Sequence, residues 1–275
     1  MMKKLGCSTI LYGGVSLGEA LQGISGTGYQ SIELCARPGM APHVEIDRSA
    51  SSYYTEIKQK VTDYGLVMES LAGTGGIEFG SDNFDRVIEV ADLLGAPAIA
   101  VGAGGKSDDQ ESWGQFINSI NRISLRTSQA DIKLTIKPHV GNAVYSSSTI
   151  IQFMQEVDRD WVGINYDASH IYRSGEDQDP VEVLDMVKEY VATLRIRDNQ
   201  DSRQKPIGPV ETQIPGKGVL DLPAIAAIVK TIDQVDDVIV EIVGTHAGTD
   251  APLDQVQKIV DECYEIEEKI TKSKN

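Results

Sequence analysis

Short runs rich in β-branched and apolar residues recur along the chain near 5–10 (LGCSTI), 31–36 (SIELCA), 67–72 (VMESLA), 98–103 (AIAVGA), 133–140 (KLTIKPHV), 162–168 (VGINYDA), 190–198 (YVATLRIRD) and 237–244 (DVIVEIVG). After each run the spacing of apolar residues changes from two to three and four. Phe84, Val87, Ile88, Ala91 and Leu94 follow this spacing and stop at Gly95, the pattern of an amphipathic helix laid on a sheet. Trp113, Phe116, Ile117 and Ile120 repeat it, as do Ile150, Ile151, Met154 and Val157, and Leu253, Val256, Ile259, Val260 and Cys263. Pro180 and Pro223 stand where helices should begin, in the first turn that tolerates a missing N–H.

Strand starts advance by 26 to 47 residues, too far apart for hairpins, so strictly alternating strands and helices predict parallel pairing through right-handed crossovers. Eight such units predict an α/β fold of the (β/α)8 TIM barrel type, one domain over 1–275. An open doubly wound sheet is the rival, but the G-x-G-x-x-G fingerprint between first strand and first helix is absent. GTGG (73–76) and GAGG (102–105) lack the lysine and spacing of a nucleotide loop and read as strand-to-helix turns.

Composition narrows the partners. Asp plus Glu number 41 against 25 Lys plus Arg, a formal charge of −16, which repels a phosphate backbone or an anionic membrane surface. Neither nucleic acid nor membrane is therefore expected as a partner. The amino terminus lacks the continuous apolar run of a signal peptide, and no stretch approaches the roughly 20 apolar residues of a membrane span. Three cysteines (Cys7, Cys35 and Cys263) cannot all pair internally. A reducing, cytoplasmic setting is the expectation.

Side chains alternate along a strand, so parity separates its two faces. If the apolar face meets the helices, Glu33, Lys137, His139, Asp167, Arg195, Arg197 and Glu241 point inward or up to the carboxyl ends of the strands, where active sites of this fold lie. All four histidines, His43, His139, His170 and His246, fall at or just after a strand's carboxyl end, with none expected inside a helix.

At these residues the chain resembles the xylose-isomerase-like TIM barrels, a family of sugar and sugar-phosphate isomerases, epimerases and related dehydratases. The matches are YQSIEL (29–34), KPHVG (137–141) for the family's E-P-H-x-G, YDASH (166–170) for D-x-x-H, RIRD (195–198) for H-V-K-D, PGKGVLD (215–221) for G-x-G-x-x-D, and VEIVG (240–244) for the last strand's glutamate. The resemblance implies a divalent metal held by Glu, Asp, His and Glu from the last four strands. Asp167 and Glu241 match two of these positions, but Lys137 stands for the first glutamate and Arg195 for the histidine. An ammonium and a guanidinium offer donors and no lone pair, and the four residues already sum to zero charge. No metal and no other cofactor is therefore expected.

What remains is an isomerase or epimerase working beside a carbonyl on a sugar-like or hydroxy-acid substrate. Glu241 is the expected base, Lys137 stabilises the enediolate oxygen with Arg195, and His139 or His170 returns the proton. Glu33, Asp167, Arg195, Arg197 and His246 would bind substrate, with the arginines suited to a carboxylate or phosphate. Two alternatives stay open: Lys137 as a Schiff-base nucleophile of a lyase, and a catalytically silent barrel that binds a small anion or a partner. The long connection 199–220 reads as a substrate lid or a floppy insertion. Barrels of this kind are often homo-oligomers, so self-association is a further expectation. A multi-zinc endonuclease site is not supported by four histidines and an acidic surface.

Overall fold

The structure, a computed structural model, describes residues 3–175, 178–203, 206–245 and 253–272; His246 lies outside them. Eight parallel strands form a closed ring: β1 (Lys4–Ser8), β2 (Ser31–Arg37), β3 (Val67–Ala72), β4 (Ala98–Gly102), β5 (Lys133–Lys137), β6 (Val162–Asp167), β7 (Val191–Ile196) and β8 (Asp237–Val240). Neighbours in sequence are neighbours in the sheet, and β1 closes the ring by pairing with both β2 and β8. A two-residue strand, Ala41–Pro42, pairs antiparallel with the end of β2 at Ala36 and Arg37. The outer layer is α1 (Leu17–Thr27), α2 (Ser51–Asp63), α3 (Asp85–Leu94), α4 (Gln110–Gln129), α5 (Ser147–Glu156), α6 (Pro180–Val187), α7 (Leu222–Val229) and α8 (Leu253–Lys272). Two short helices, Ala168–Tyr172 and Val210–Gln213, sit in the loops after β6 and β7. The single (β/α)8 barrel is as expected.

Local chemistry sets the element ends. Ser16 and Glu19 form a reciprocal capping box at the start of α1, and α3 stops where Gly95 turns left-handed. Pro180 and Pro223 do occupy first-turn positions of α6 and α7. The expected strands over 133–140, 190–198 and 237–244 end two to four residues early in the structure. At these ends the chain leaves the ladder to build the rim, and Pro138 lacks the N–H that would continue β5. Leu134, Ile136, Ile164 and Tyr166 are buried against the helices, and the three cysteines are buried and unpaired. Among the described residues no helix is long and apolar enough to cross a membrane.

Candidate active site

Arg195, on the inward face of β7, and Arg197, just past the strand's end, have different surroundings. Arg195 lies deep in the barrel with its side chain fully enclosed. Its Nε and Nη2 donate to Glu33 Oε2 at 2.9 and 2.5 Å, and its Nη1 and Nη2 donate to the two oxygens of Glu69 at 2.9 and 3.0 Å. Nη2 also reaches Ser70 Oγ at 3.0 Å, and Ser8 Oγ donates to the remaining Glu33 oxygen at 2.6 Å. Burial opposes its charge, but Glu33 and Glu69 outweigh that and hold the guanidinium protonated. For Glu69 burial wins and pushes the carboxyl up, against the opposing pull of Arg195. Ser70 follows Glu69 directly, and two successive residues of a regular strand cannot face one way. A bulge resolves this: Ile32 pairs with Met68 but Glu33 pairs with Ser70, so β3 carries an extra residue at Glu69.

Above this layer a cavity of about 540 Å³ opens at the carboxyl ends of the strands, within the usual range for small-molecule sites. Lys137, His139, His170, Arg197 and Glu241 line it, together with Arg37 and Arg173. Lys137 Nζ is in contact with Glu241 and stands 4.0 Å from Asp167 Oδ2. Arg197 Nη2 is 2.7 Å from the same Asp167 oxygen. Asp167 Oδ1 caps the helix Ala168–Tyr172 by accepting from Ser169 N at 3.0 Å, which sets His170 over the cavity with Nε2 3.8 Å from Asp167 Oδ2. Burial would raise the Glu241 carboxyl, but Lys137, Arg197, Arg37 and Arg195 together hold it far below the usual carboxylate range.

His139 and His170 lie with ring centroids 4.4 Å apart. Burial lowers both, most strongly His170, and Arg197, Lys137 and Arg173 push the same way, so both rings are neutral at pH 7. His139 Nδ1 is 3.0 Å from its neighbour Val140 O.

Of the nine residues singled out from the sequence, five line the cavity. Glu33 and Arg195 belong to the buried layer beneath it, where Arg195 is consumed by carboxylates, and Asp167 stands behind Lys137 and Arg197 as their counter-charge. His170 is inside a short helix, contrary to expectation, because Asp167 caps a turn immediately after β6. His43 is buried away from the cavity with Nε2 3.1 Å from Val15 O. Three charged residues were missed. Arg37 continues the odd-numbered face that carries Glu33, so parity could have found it. Glu69 owes its inward aim to a bulge, and Arg173 follows a helix of five residues, and no periodic signal marks either.

The connection 199–220 is tied down around Asp198. Its Oδ1 accepts from Asn199 N and Leu220 N, and its Oδ2 from Gly216 N, each at 2.9 Å. A Cβ on Gly218 would fall 2.2 Å from Asn199 O and 2.3 Å from Asp198 Oδ1, so the PGKG turn closes onto Asp198 only with glycine there. Gln213 bonds Gly208 O and both backbone groups of Val243, and Ile207 borders the cavity. Asn199, Gln213, Gly216 and Leu220 thus tie the connection to the rim of the barrel.

Residues 21–263 match the family model described as xylose isomerase-like TIM barrel. The chain belongs to that family. An inosose dehydratase of Clostridium botulinum is 25% identical over 134 residues, covering 44% of this chain and 43% of the relative. The chain matches less than half the length of the inosose dehydratases it is similar to. Among solved structures, the IolI protein with a bound zinc atom superposes with a TM-score of 0.76 at 18% identity, covering 98% of each chain. D-psicose 3-epimerase, solved in the presence of D-fructose, gives 0.76 at 14%, covering 98% of this chain and 100% of the epimerase. At such identities the likeness shows the fold.

The metal that the family resemblance implies does not fit these residues. Lys137 Nζ stands between Asp167 and Glu241, the two carboxylates that match ligand positions, and Arg195 occupies the histidine position with every donor directed at other groups. Among the described residues no three His, Cys, Asp or Glu side chains converge as a metal-holding group.

Proposed function

We propose that this chain is an enzyme acting on a sugar-like carbonyl compound by moving a proton at the carbon beside the carbonyl, and that it does so without a divalent metal. Isomerases, epimerases and dehydratases share this step, and the inosose dehydratases and the epimerase to which the chain is similar support the substrate class. The observation that carries the reading is Lys137 Nζ at the base of an open cavity, paired to Glu241 with Asp167 behind it. There the ammonium can donate to a carbonyl oxygen and stabilise the negative charge that develops as the neighbouring carbon loses its proton.

The physical tuning of the groups redistributes the roles expected from sequence. A carboxylate held as low as Glu241 is a weak base, so its part is to aim and hold Lys137. The His139 and His170 rings are neutral, border the same cavity and have the lowered affinity that leaves a lone pair open at pH 7, so one of them takes the proton. Return of the proton to the adjacent carbon isomerises, return to the opposite face epimerises, and loss of hydroxide from the next carbon dehydrates. An ion-paired ammonium has no lone pair with which to begin an imine, which speaks against the Schiff-base reading.

The test is proton exchange in D2O with EDTA present, followed by NMR on D-fructose, D-fructose 6-phosphate, D-glucuronate and inosose. Loss of the proton signal beside the carbonyl, abolished in Lys137→Met, is the expected result. Exchange that appears only when Mn2+ or Zn2+ is added overturns the metal-free reading, and no exchange on any compound favours the silent barrel.

A further inference from the structure

The described residues that line the cavity carry a net charge opposite in sign to that of the protein. Arg37, Lys137, Arg173 and Arg197 line the cavity against Glu241 as the only carboxylate among its described lining residues, in a chain of formal charge −16. Asp167 offsets Arg197 from behind, and the deeper Glu33, Glu69 and Arg195 set leaves the balance positive. Like charges in a half-enclosed space repel one another: Arg173 is lowered first by burial and then by Arg197, whereas Arg37 is raised, Glu241 and Glu33 outweighing its burial. A bound anion relieves that repulsion.

One buried donor at the cavity lacks a hydrogen-bond partner among the described residues: the Nε of Arg197, a residue only 3% exposed. A buried donor of this kind is costly to leave without an acceptor. Arg37 is held in place by its surroundings. Its backbone pairs with Ala41 in the short antiparallel strand, and its stem lies over Gly73, where a Cβ would come within 2.6 Å of Arg37 Cγ at a φ of +86°.

We propose that the substrate carries an anionic group, a carboxylate or a phosphate, and that Arg37, Arg173 and Arg197 cradle it while Lys137 stays with the reacting oxygen. The cradle deepens the function proposed above and rests on it only for the reacting end. Guanidinium groups suit this task because their planar donors meet two oxygens at once. A neutral hexose would bring no charge to these guanidinium groups, so the same cluster separates it from an anionic substrate.

The test is calorimetric binding to the full chain under EDTA, with D-fructose 6-phosphate, D-glucuronate, inorganic phosphate and neutral D-fructose as probes. At least one anionic sugar is expected to bind about 10- to 100-fold more tightly than D-fructose, the range of one charge-assisted hydrogen bond or more. Preference for D-fructose 6-phosphate with competition by inorganic phosphate assigns a phosphate, and preference for D-glucuronate assigns a carboxylate. Arg37→Gln and Arg173→Gln are each expected to remove about tenfold or more of that preference, read as the ratio of anionic to neutral sugar affinity, while circular dichroism stays unchanged. If anionic and neutral sugars bind alike, or the preference survives in both variants, the cradle is wrong. Binding of an anion without proton exchange would spare the cradle and sink the enzymatic reading, whereas exchange on D-fructose without anion preference would do the reverse.

Discussion

Arg195→Met separates a buried structural charge from a ligand-binding one. The substitution keeps an unbranched side chain but strands Glu33 and Glu69, which are 3% and 9% exposed. Five donor contacts between 2.5 and 3.0 Å are lost at once. They cannot be summed as independent bonds, because the remaining carboxylates can protonate or shift. Removing one partner of a buried ion pair costs about 3–5 kcal/mol. At about 2–4 °C per kcal/mol for a protein near this size, the midpoint of thermal unfolding should fall by about 6–20 °C. The pH dependence supplies a second check. Burial already pushes the Glu69 carboxyl above its usual 4.5 against the pull of Arg195, and without the guanidinium that pull is gone. Folding then binds extra protons, so the variant's stability is greatest below that value and declines as pH rises through the raised one. The gap to the parent should be wide at pH 7.5 and narrow at pH 5 in urea unfolding. The triple variant Arg195→Met, Glu33→Gln, Glu69→Gln should recover most of the loss, since a buried ion set replaced whole is far less costly than one that is broken. An Arg195→Met protein within about 0.5 kcal/mol of the parent, but unable to bind an anionic sugar, would refute the structural assignment and return Arg195 to the substrate.

Three further outcomes are expected. Lys137→Glu sets a third carboxylate beside Asp167 and Glu241, so Mn2+ at 100 times its dissociation constant should stabilise that variant by about 2.7 kcal/mol and leave the parent's melting unchanged; a stoichiometric Mn2+ shift in the parent would contradict the misfit described above. Because His139 and His170 are lowered from 6.5, the exchange rate should climb along an acid limb centred below pH 6.5 and stay flat above it, with His139→Gln or His170→Gln slowing it by about 100- to 10,000-fold. The unfolded chain takes up these protons near 6.5 while the folded one does not, so stability should also fall as pH drops below that value; a limb centred above 6.5 would count against the neutral pair. Asp198→Ala leaves the N–H groups of Asn199, Gly216 and Leu220 without their acceptor, which should cost about 1–3 kcal/mol and admit trypsin at Lys217 or Arg203, where the parent resists.

The periodic part of the structure could be read directly from the chain. All eight strands lie where the apolar runs predict, and α3 ends at the glycine that its pattern indicates. Periodicity works there because each strand and helix must bury one defined face, so the requirement is written into every second or every third and fourth residue. Parity likewise brought Lys137, His139, Arg197 and Glu241 to the barrel mouth. It could not rank residues by depth, because alternation says which way a side chain faces and not which layer it reaches. Arg195 and Arg197 share a face, yet one is locked under Glu33 and Glu69 and the other borders the cavity.

The amino-acid sequence by itself determined the alternating strands and helices, the closed barrel, and the replacement of two expected ligand positions by Lys137 and Arg195. Only the tertiary structure decided what those two cations do. A β-bulge turned Glu69 inward to neutralise Arg195, a capped turn brought His170 beside His139, and ring closure carried Arg37 from β2 to the cavity that β5 and β7 line. The bulge and the ring closure depend on contacts between residues far apart in the chain, and the capped turn on a single local hydrogen bond, so none of them leaves a period to read.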